Sequence, residues 1–391
     1  MTNSTVAPNS TSCRNLRDLT VIRVIVPILY CFVFLGGFVL NTMAAWIFYK
    51  IPNRSSFTIY LKNIVAADML LVVTLPFKIL SESNLGSWQL KAFVCRYSAV
   101  IFYSSMYLSI IFLGLISLDR YLKIVQPRKS LSVQKVKFAK VVSVSCWVYI
   151  ISFALPNIIL TNKDPTEKTA AHCLKLKSKV GETWHRIVII NCEVIFWVVF
   201  ALLTLSYLAI LKKLYWSNQK FQNDSGTVIK KANRNIFSIL AVFFICFVPY
   251  HVIRIPYENI RSAESGCTTH NRLYYAKEAT LLLCAFNVCL DPIIYFLLCK
   301  SFTRVLRRTL RIKRNNAVKM DDARKRAQSS NASYQDPDSS RMAVDTVCTN
   351  SSTFPSERNT KKTIQIKVLQ QSVAVTTLSP PVESDYINTK V

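Results

Sequence analysis

Two groups of side chains in this sequence have chemistry to offer. The first is a set of cations: His251-Val-Ile-Arg254 and Lys277, with Lys177 and His185 upstream. Residues three apart share one face of a helix, so His251 and Arg254 point the same way. Together with Tyr103, Tyr107, Tyr250 and Tyr257 they suit an anion held by charge and a flat group held by stacking. Phosphate fits better than a lone carboxylate, because several positive groups converge. The plainer alternative is that Arg254 and Lys277 only snorkel to lipid headgroups. The second group is acids in apolar surroundings, Asp68, Asp119 and Asp291, and such residues are functional by default in a membrane. Catalysis is not expected of them, since Asp68, Ser109 and Asp291 have no neighbouring His base. No Cys-x-x-Cys pair argues for zinc.

Elements able to position these residues are visible in the composition. The chain has 391 residues, 51% hydrophobic and only 18% charged, against about 25% charged in soluble domains. Its 49 Lys and Arg against 21 Asp and Glu give a formal charge of +28. A basic balance often signals nucleic acid, but basicity joined to high hydrophobicity predicts apolar spans separated by basic loops. A helix needs about 20 apolar residues to cross a bilayer core about 30 Å thick. Seven runs qualify, near 21–49, 57–80, 93–124, 137–161, 186–212, 233–256 and 274–299. The expected fold is an all-α membrane protein: a seven-transmembrane bundle (21–299) after an outer tail (1–20), then an amphipathic helix (300–314) and a disordered tail (315–391). A soluble enzyme is excluded.

Lys and Arg in short loops mark the cytoplasmic side. Lys50, Arg54, Arg128, Lys129, Lys212, Lys213 and Arg304–Arg308 all fall on one side of the seven spans. Asn3-Ser-Thr and Asn9-Ser-Thr are glycosylation sequons in the opposite, N-terminal tail. The loop at 162–185 is also basic although it lies outside. Cys13, Cys95, Cys173 and Cys267 fall on the outer side, where two disulfides are expected; four cysteines allow three pairings.

Asn41, Asn63-Ile-Val-Ala-Ala-Asp68, Asp119-Arg120-Tyr121, Trp147, Cys246-Phe247-Val-Pro249-Tyr250 and Asp291-Pro-Ile-Ile-Tyr295 follow one another at set depths. In this order they resemble the rhodopsin-like (class A) G-protein-coupled receptors over about residues 20–312. The resemblance implies that Arg120 is a switch arginine restrained by Asp119, and that Tyr207 and Tyr295 swing inward on activation. It implies a sodium pocket from Asp68, Ser109, Asn287 and Asp291, whose oxygens suit a hard cation. It pairs Cys95 with Cys173 and Cys13 with Cys267. Departures are present: Phe247 replaces the usual Trp, Asp291 the usual Asn, and Val199 stands near the common helix-five Pro.

Helix three carries no carboxylate for an amine ligand, and helix seven no Schiff-base lysine near Ala285. Leu155-Pro-Asn157, Thr183-Trp-His185, His251-Val-Ile-Arg254-Ile-Pro-Tyr257 and Ala276-Lys277-Glu278 instead resemble the purinergic nucleotide receptors, in the inhibitory-G-coupled branch that senses ADP and UDP-sugars. Carried over, the resemblance implies that Arg254 and Lys277, helped by Lys177, grip phosphates. Tyr103 would stack near the base, and Tyr107, Asn157, Cys173 and His185 would line the remainder. Ile189 replaces an expected Asn, and Glu193, an acid inside helix five, has a pocket cation as its candidate partner.

These features imply a plasma-membrane receptor, N-terminus outside, that answers ADP first or a UDP-sugar next and lowers cAMP through an inhibitory G protein. The alternatives are a receptor for another anion, such as a lysophospholipid or leukotriene, and, across classes, a transporter or channel. Nucleic acid is a poor partner for a basic segment that abuts a span. Phe302–Leu310 alternates apolar and cationic residues and reads as a helix lying on anionic lipid. The Ser/Thr-rich tail offers sites for receptor kinases and arrestin, and Thr389-Lys390-Val391 a PDZ ligand.

Overall fold

The computed structural model describes residues 20–126, 135–170, 173–220, 237–262, 267–309 and 311. The sequons at Asn3 and Asn9, Cys13, the side chain of Cys267 and the tail to Val391 lie outside the described residues, and so does the expected Cys13–Cys267 bridge. The chain divides into two units, Met1–Lys325 and Arg326–Val391; the described helices all belong to the first.

Among the described residues seven helices are long and apolar enough to cross a membrane: α1 Val21–Tyr49, α2 Ser56–Glu82, α3 Trp88–Val125, α4 Val136–Ile159, α5 Lys179–Trp216, α6 Phe237–Glu258 and α7 Thr268–Leu298. Helix is the outcome because a backbone in hydrocarbon must satisfy every N–H and C=O within its own segment. Ser55 caps α2 by accepting from the Thr58 N–H at 3.2 Å. The helices outrun the expected spans: α3 starts at Trp88 and the α5 helix continues to Lys220. Hydropathy reports only the part inside lipid, whereas hydrogen bonding carries the helix on into water.

α3 is the axis of the bundle, with 67% of its apolar stretch buried against 17% for α4. Outward faces stay apolar, as at Phe32, Val39, Val141, Val148 and Leu205, which suits acyl chains. Polar staples sit inside. Asn41 donates to Val288 O at 2.7 Å and Gly37 O at 3.0 Å, tying α1 to α7. Trp147 Nε1 donates to Asn63 Oδ1 at 2.9 Å, tying α4 to α2. A Cβ on Gly37 would meet Val288 Cγ2 at 2.6 Å, and one on Gly114 would meet Val199 Cγ1 at 2.8 Å. Val199, near the position where proline is common, thus packs directly on α3.

On the outer side Cys95 and Cys173 are bonded, which ties the loop after α4 to the top of α3. On the inner side residues 300–309 form a further helix, α8. Its Phe302 is buried against Phe48 at 5.2 Å and Tyr295 at 6.1 Å, while Arg304, Arg307 and Arg308 face out.

Candidate functional site

Pro249 removes one N–H from α6, and the helix is interrupted at Phe247. Just beyond that break stand His251 and Arg254, one turn apart. Arg254 Nη1 donates to the Tyr107 hydroxyl of α3 at 3.0 Å. His251 Nδ1 lies 2.9 Å from Phe247 O, and a carbonyl only accepts, so Nδ1 carries the proton. Nε2 is then the acceptor, and Tyr107 donates to it across 3.0 Å. One directed chain results: Arg254 to Tyr107 to His251 to the Phe247 carbonyl.

This chain corrects the sequence reading of His251. It is 0% exposed, both nitrogens are used, and Phe196 stacks on its ring at 3.7 Å. His251 therefore keeps no polar atom free to face a pocket. Arg254 is the cation that remains available. Its guanidinium lies 5.5 Å from the Tyr250 ring and 5.9 Å from the Tyr103 ring, and its Nε is 3.7 Å from Glu193 Oε1 on α5. Glu193 is the counter-ion that helix five supplies.

Lys277 pairs with Glu278 at 2.5 Å and lies over Tyr257 at 5.3 Å and Tyr274 at 5.1 Å. Glu278 also stands 4.0 Å from Lys78 of α2, which has Glu82 at 3.5 Å and the Tyr30 ring at 5.0 Å. Sequence reasoning assigns neither Lys78 nor Glu278 to the site; charges within apolar spans are the signal that could single them out.

Lys177 is placed differently from the expectation. Its ammonium donates to Asn157 Oδ1 at 2.7 Å, Thr161 Oγ1 at 2.9 Å and Asn157 O at 3.4 Å. Three donors meet three acceptors, so Lys177 and Asn157 clasp the outer loop to α4 instead of reaching for phosphate. Burial without a carboxylate lowers the Lys177 pKa to about 8. His185 is half-buried in the first turns of α5, and Cys173 lies in the disulfide. Asn191 accepts from Tyr149 of α4 at 2.6 Å, turned away from Arg254.

Deeper in the bundle, Asp68 is fully buried. It accepts from Ser109 at 3.3 Å and Tyr295 at 3.0 Å, and interacts directly with the Asp291 carboxylate. Asn287 Nδ2 donates to Asp291 Oδ2 at 2.9 Å. Asn287 Oδ1 and Asp291 Oδ1 are buried with no hydrogen-bond partner. Two adjoining buried carboxylates with spare oxygens fit a hard monovalent cation.

At the inner end Asp119 accepts from Ser56 at 2.7 Å and from Lys123 at 2.6 Å. Arg120 stacks on the Phe57 ring at 3.8 Å. The Asp119–Arg120 restraint is a through-space attraction, since Asp119 gives its direct contacts to Ser56 and Lys123 while Arg120 lies on Phe57. The Tyr121 hydroxyl accepts from Gln126 Nε2 at 3.1 Å, and Tyr207 is half-buried on α5. Phe247, fully packed, tilts against Phe243 at 5.4 Å.

Residues 12–295 match the family described as 7 transmembrane receptor (rhodopsin family). The chain is 48% identical over 313 residues to purinoceptor 14 of Bos taurus, covering 80% of this chain and 92% of that one. It is 46% identical over 291 residues to purinoceptor 13 of Homo sapiens, covering 74% and 82%. G-protein coupled receptor 87 of Mus musculus is 45% identical over 285 residues, covering 72% and 79%. With the seven-helix bundle, the α6 cation and these relatives in place, the chain belongs to the rhodopsin-like G-protein-coupled receptors, not to the enzymes, and within that family to the purinoceptors.

Proposed function

We propose that the protein is a plasma-membrane receptor, N-terminus outside, for an extracellular nucleotide, ADP first and a UDP-sugar next. It signals through an inhibitory heterotrimeric G protein to lower cAMP. The observation that carries this reading is Arg254: a mostly buried guanidinium on α6, flanked by Tyr103 and Tyr250, with a hydrogen-bond route inward. Diphosphate matches such a group in charge and geometry. Lys277 on α7, with Tyr257 beneath it, supplies the second cation.

A ligand held by Arg254 and Lys277 draws the outer ends of α6 and α7 together. Movement of Arg254 pulls on Tyr107, and through His251 on the Phe247 carbonyl beside the Pro249 break. The inner end of α6 then opens, a population shift toward the state that binds the G protein. Arg120 is freed from Phe57 in that state, while Tyr207 and Tyr295 turn inward. Tyr295 must first leave Asp68. Asp68, Ser109, Asn287 and Asp291 would hold a sodium ion, which neutralises the paired carboxylates and so favours the resting arrangement. Receptor kinases and arrestin act on the Ser/Thr-rich tail.

Inhibition of cAMP in transfected cells tests the assignment, with ADP and UDP-glucose applied to the natural receptor and to Arg254→Ala. A response to either nucleotide that disappears in the variant, at equal surface expression, is expected. Silence to both, or an unchanged response in Arg254→Ala, overturns it.

A further inference from the structure

Glu193 stands in the middle of α5 among apolar residues, with its carboxylate 3.7 Å from Arg254 Nε. Both side chains are largely withdrawn from solvent, at 16% and 11% exposure. Arg254 Nε stands beyond hydrogen-bond distance of the carboxylate, so charge alone holds the two side chains together. Arg254 meanwhile commits Nη1 to Tyr107. The acid therefore occupies the side of the guanidinium that carries Nε, part of the fork an incoming phosphate needs for a two-point grip. A buried ion pair without hydrogen bonds recovers little of its desolvation cost. An anion bringing good acceptors displaces such a partner. Trp197, one turn further along α5, offers its indole beside the carboxylate as an alternative donor.

We infer that Glu193 is a built-in counter-ion which competes with ligand phosphate for Arg254 and so sets the concentration at which anions engage the receptor. The inference rests on Arg254 being the phosphate anchor. Its consequence is selectivity by charge: a dianionic or trianionic diphosphate displaces Glu193, whereas a monoanion with one carboxylate only exchanges like for like.

Two measurements on the full-length receptor test this. The first is thermal stabilisation of the purified protein by inorganic pyrophosphate, a probe without a base. The second is nucleotide potency in cells. Glu193→Gln removes the charge and keeps the shape; Glu193→Asp keeps the charge. In Glu193→Gln, half-stabilising pyrophosphate should fall about threefold to tenfold, and the nucleotide EC50 likewise. Glu193→Asp should stay near the natural protein, and Arg254→Ala should lose pyrophosphate stabilisation. Unchanged or weakened pyrophosphate binding in Glu193→Gln overturns the inference, as does the same gain in Glu193→Asp. Stabilisation that survives in Arg254→Ala overturns it together with the anchor. If the pyrophosphate pattern holds while no nucleotide signals, the counter-ion stands and the nucleotide assignment falls.

Discussion

The Tyr107 hydroxyl and the His251 Nε2 are 3.0 Å apart, and that hydroxyl also accepts from Arg254 at 3.0 Å. One phenol oxygen of α3 thus joins two α6 residues a turn apart. Tyr107→Phe keeps the ring and strands both partners. Each buried group left unpaired costs about 1–3 kcal/mol. Nucleotide potency should drop about tenfold or more at normal surface expression, read as a cAMP dose–response; an unshifted curve removes Tyr107 from the transmission route.

Arg254→Lys keeps the charge but replaces a planar fork of five donors by a compact ammonium. From its single nitrogen it loses the two-point grip on a diphosphate. Potency should fall at least about tenfold, close to the loss in Arg254→Ala. Near-normal potency would show that charge alone suffices there.

The Lys177 clasp gives a pH dependence whose direction is fixed. Its pKa is lowered from 10.5 to about 8 in the folded protein. Between those values the unfolded chain binds more protons than the folded one, so stability rises with pH across that window. It falls again as pH drops through about 8. The thermal midpoint of the purified receptor should therefore climb between about pH 8 and 10, and Lys177→Met should flatten the climb. Equal slopes in the two proteins would show that Lys177 contributes none of it.

For the buried acids, sodium chloride should raise the melting temperature above that in choline chloride of equal ionic strength. Asp68→Asn and Asp291→Asn should each abolish the difference, because each removes one carboxylate of the pair. A sodium effect that persists in both variants rules out this pocket.

Gly37 tests the α1–α7 contact without touching the ligand. A β-branched residue there meets Val288 and Val72, so Gly37→Val should sharply reduce surface expression, measured by flow cytometry. Asn41→Ala, which loses the bond to Val288 O, should lower the melting temperature by a few degrees with potency retained.

The seven spans were legible because lipid enforces a simple rule on composition. Helix ends were not, since α5 carries its hydrogen bonding past Lys212 and Lys213, where apolar content fails. At the site, residue types were readable and distances were not. Arg254 and Lys277 announced an anion and Glu193 a pocket cation as its partner, but only the 3.7 Å approach between helices identifies that cation as Arg254. His251 and Lys177 looked like free cations. Only packing reveals that one is sealed under Phe196 and the other faces Asn157 and Thr161. Asp119 and Arg120 are neighbours in the chain, yet helical rotation sends them to different partners.

The uninterrupted run from Lys179 to Lys220 has 42 residues, about 63 Å at 1.5 Å each. That is roughly twice the hydrocarbon thickness. With Val199 in place of a helix breaker, α5 runs as one continuous spar, longer than the hydrocarbon of a bilayer is thick. Lys212 and Lys213 therefore ride on the same continuous rod as Glu193. The separation between them is then set by the rise of one helix.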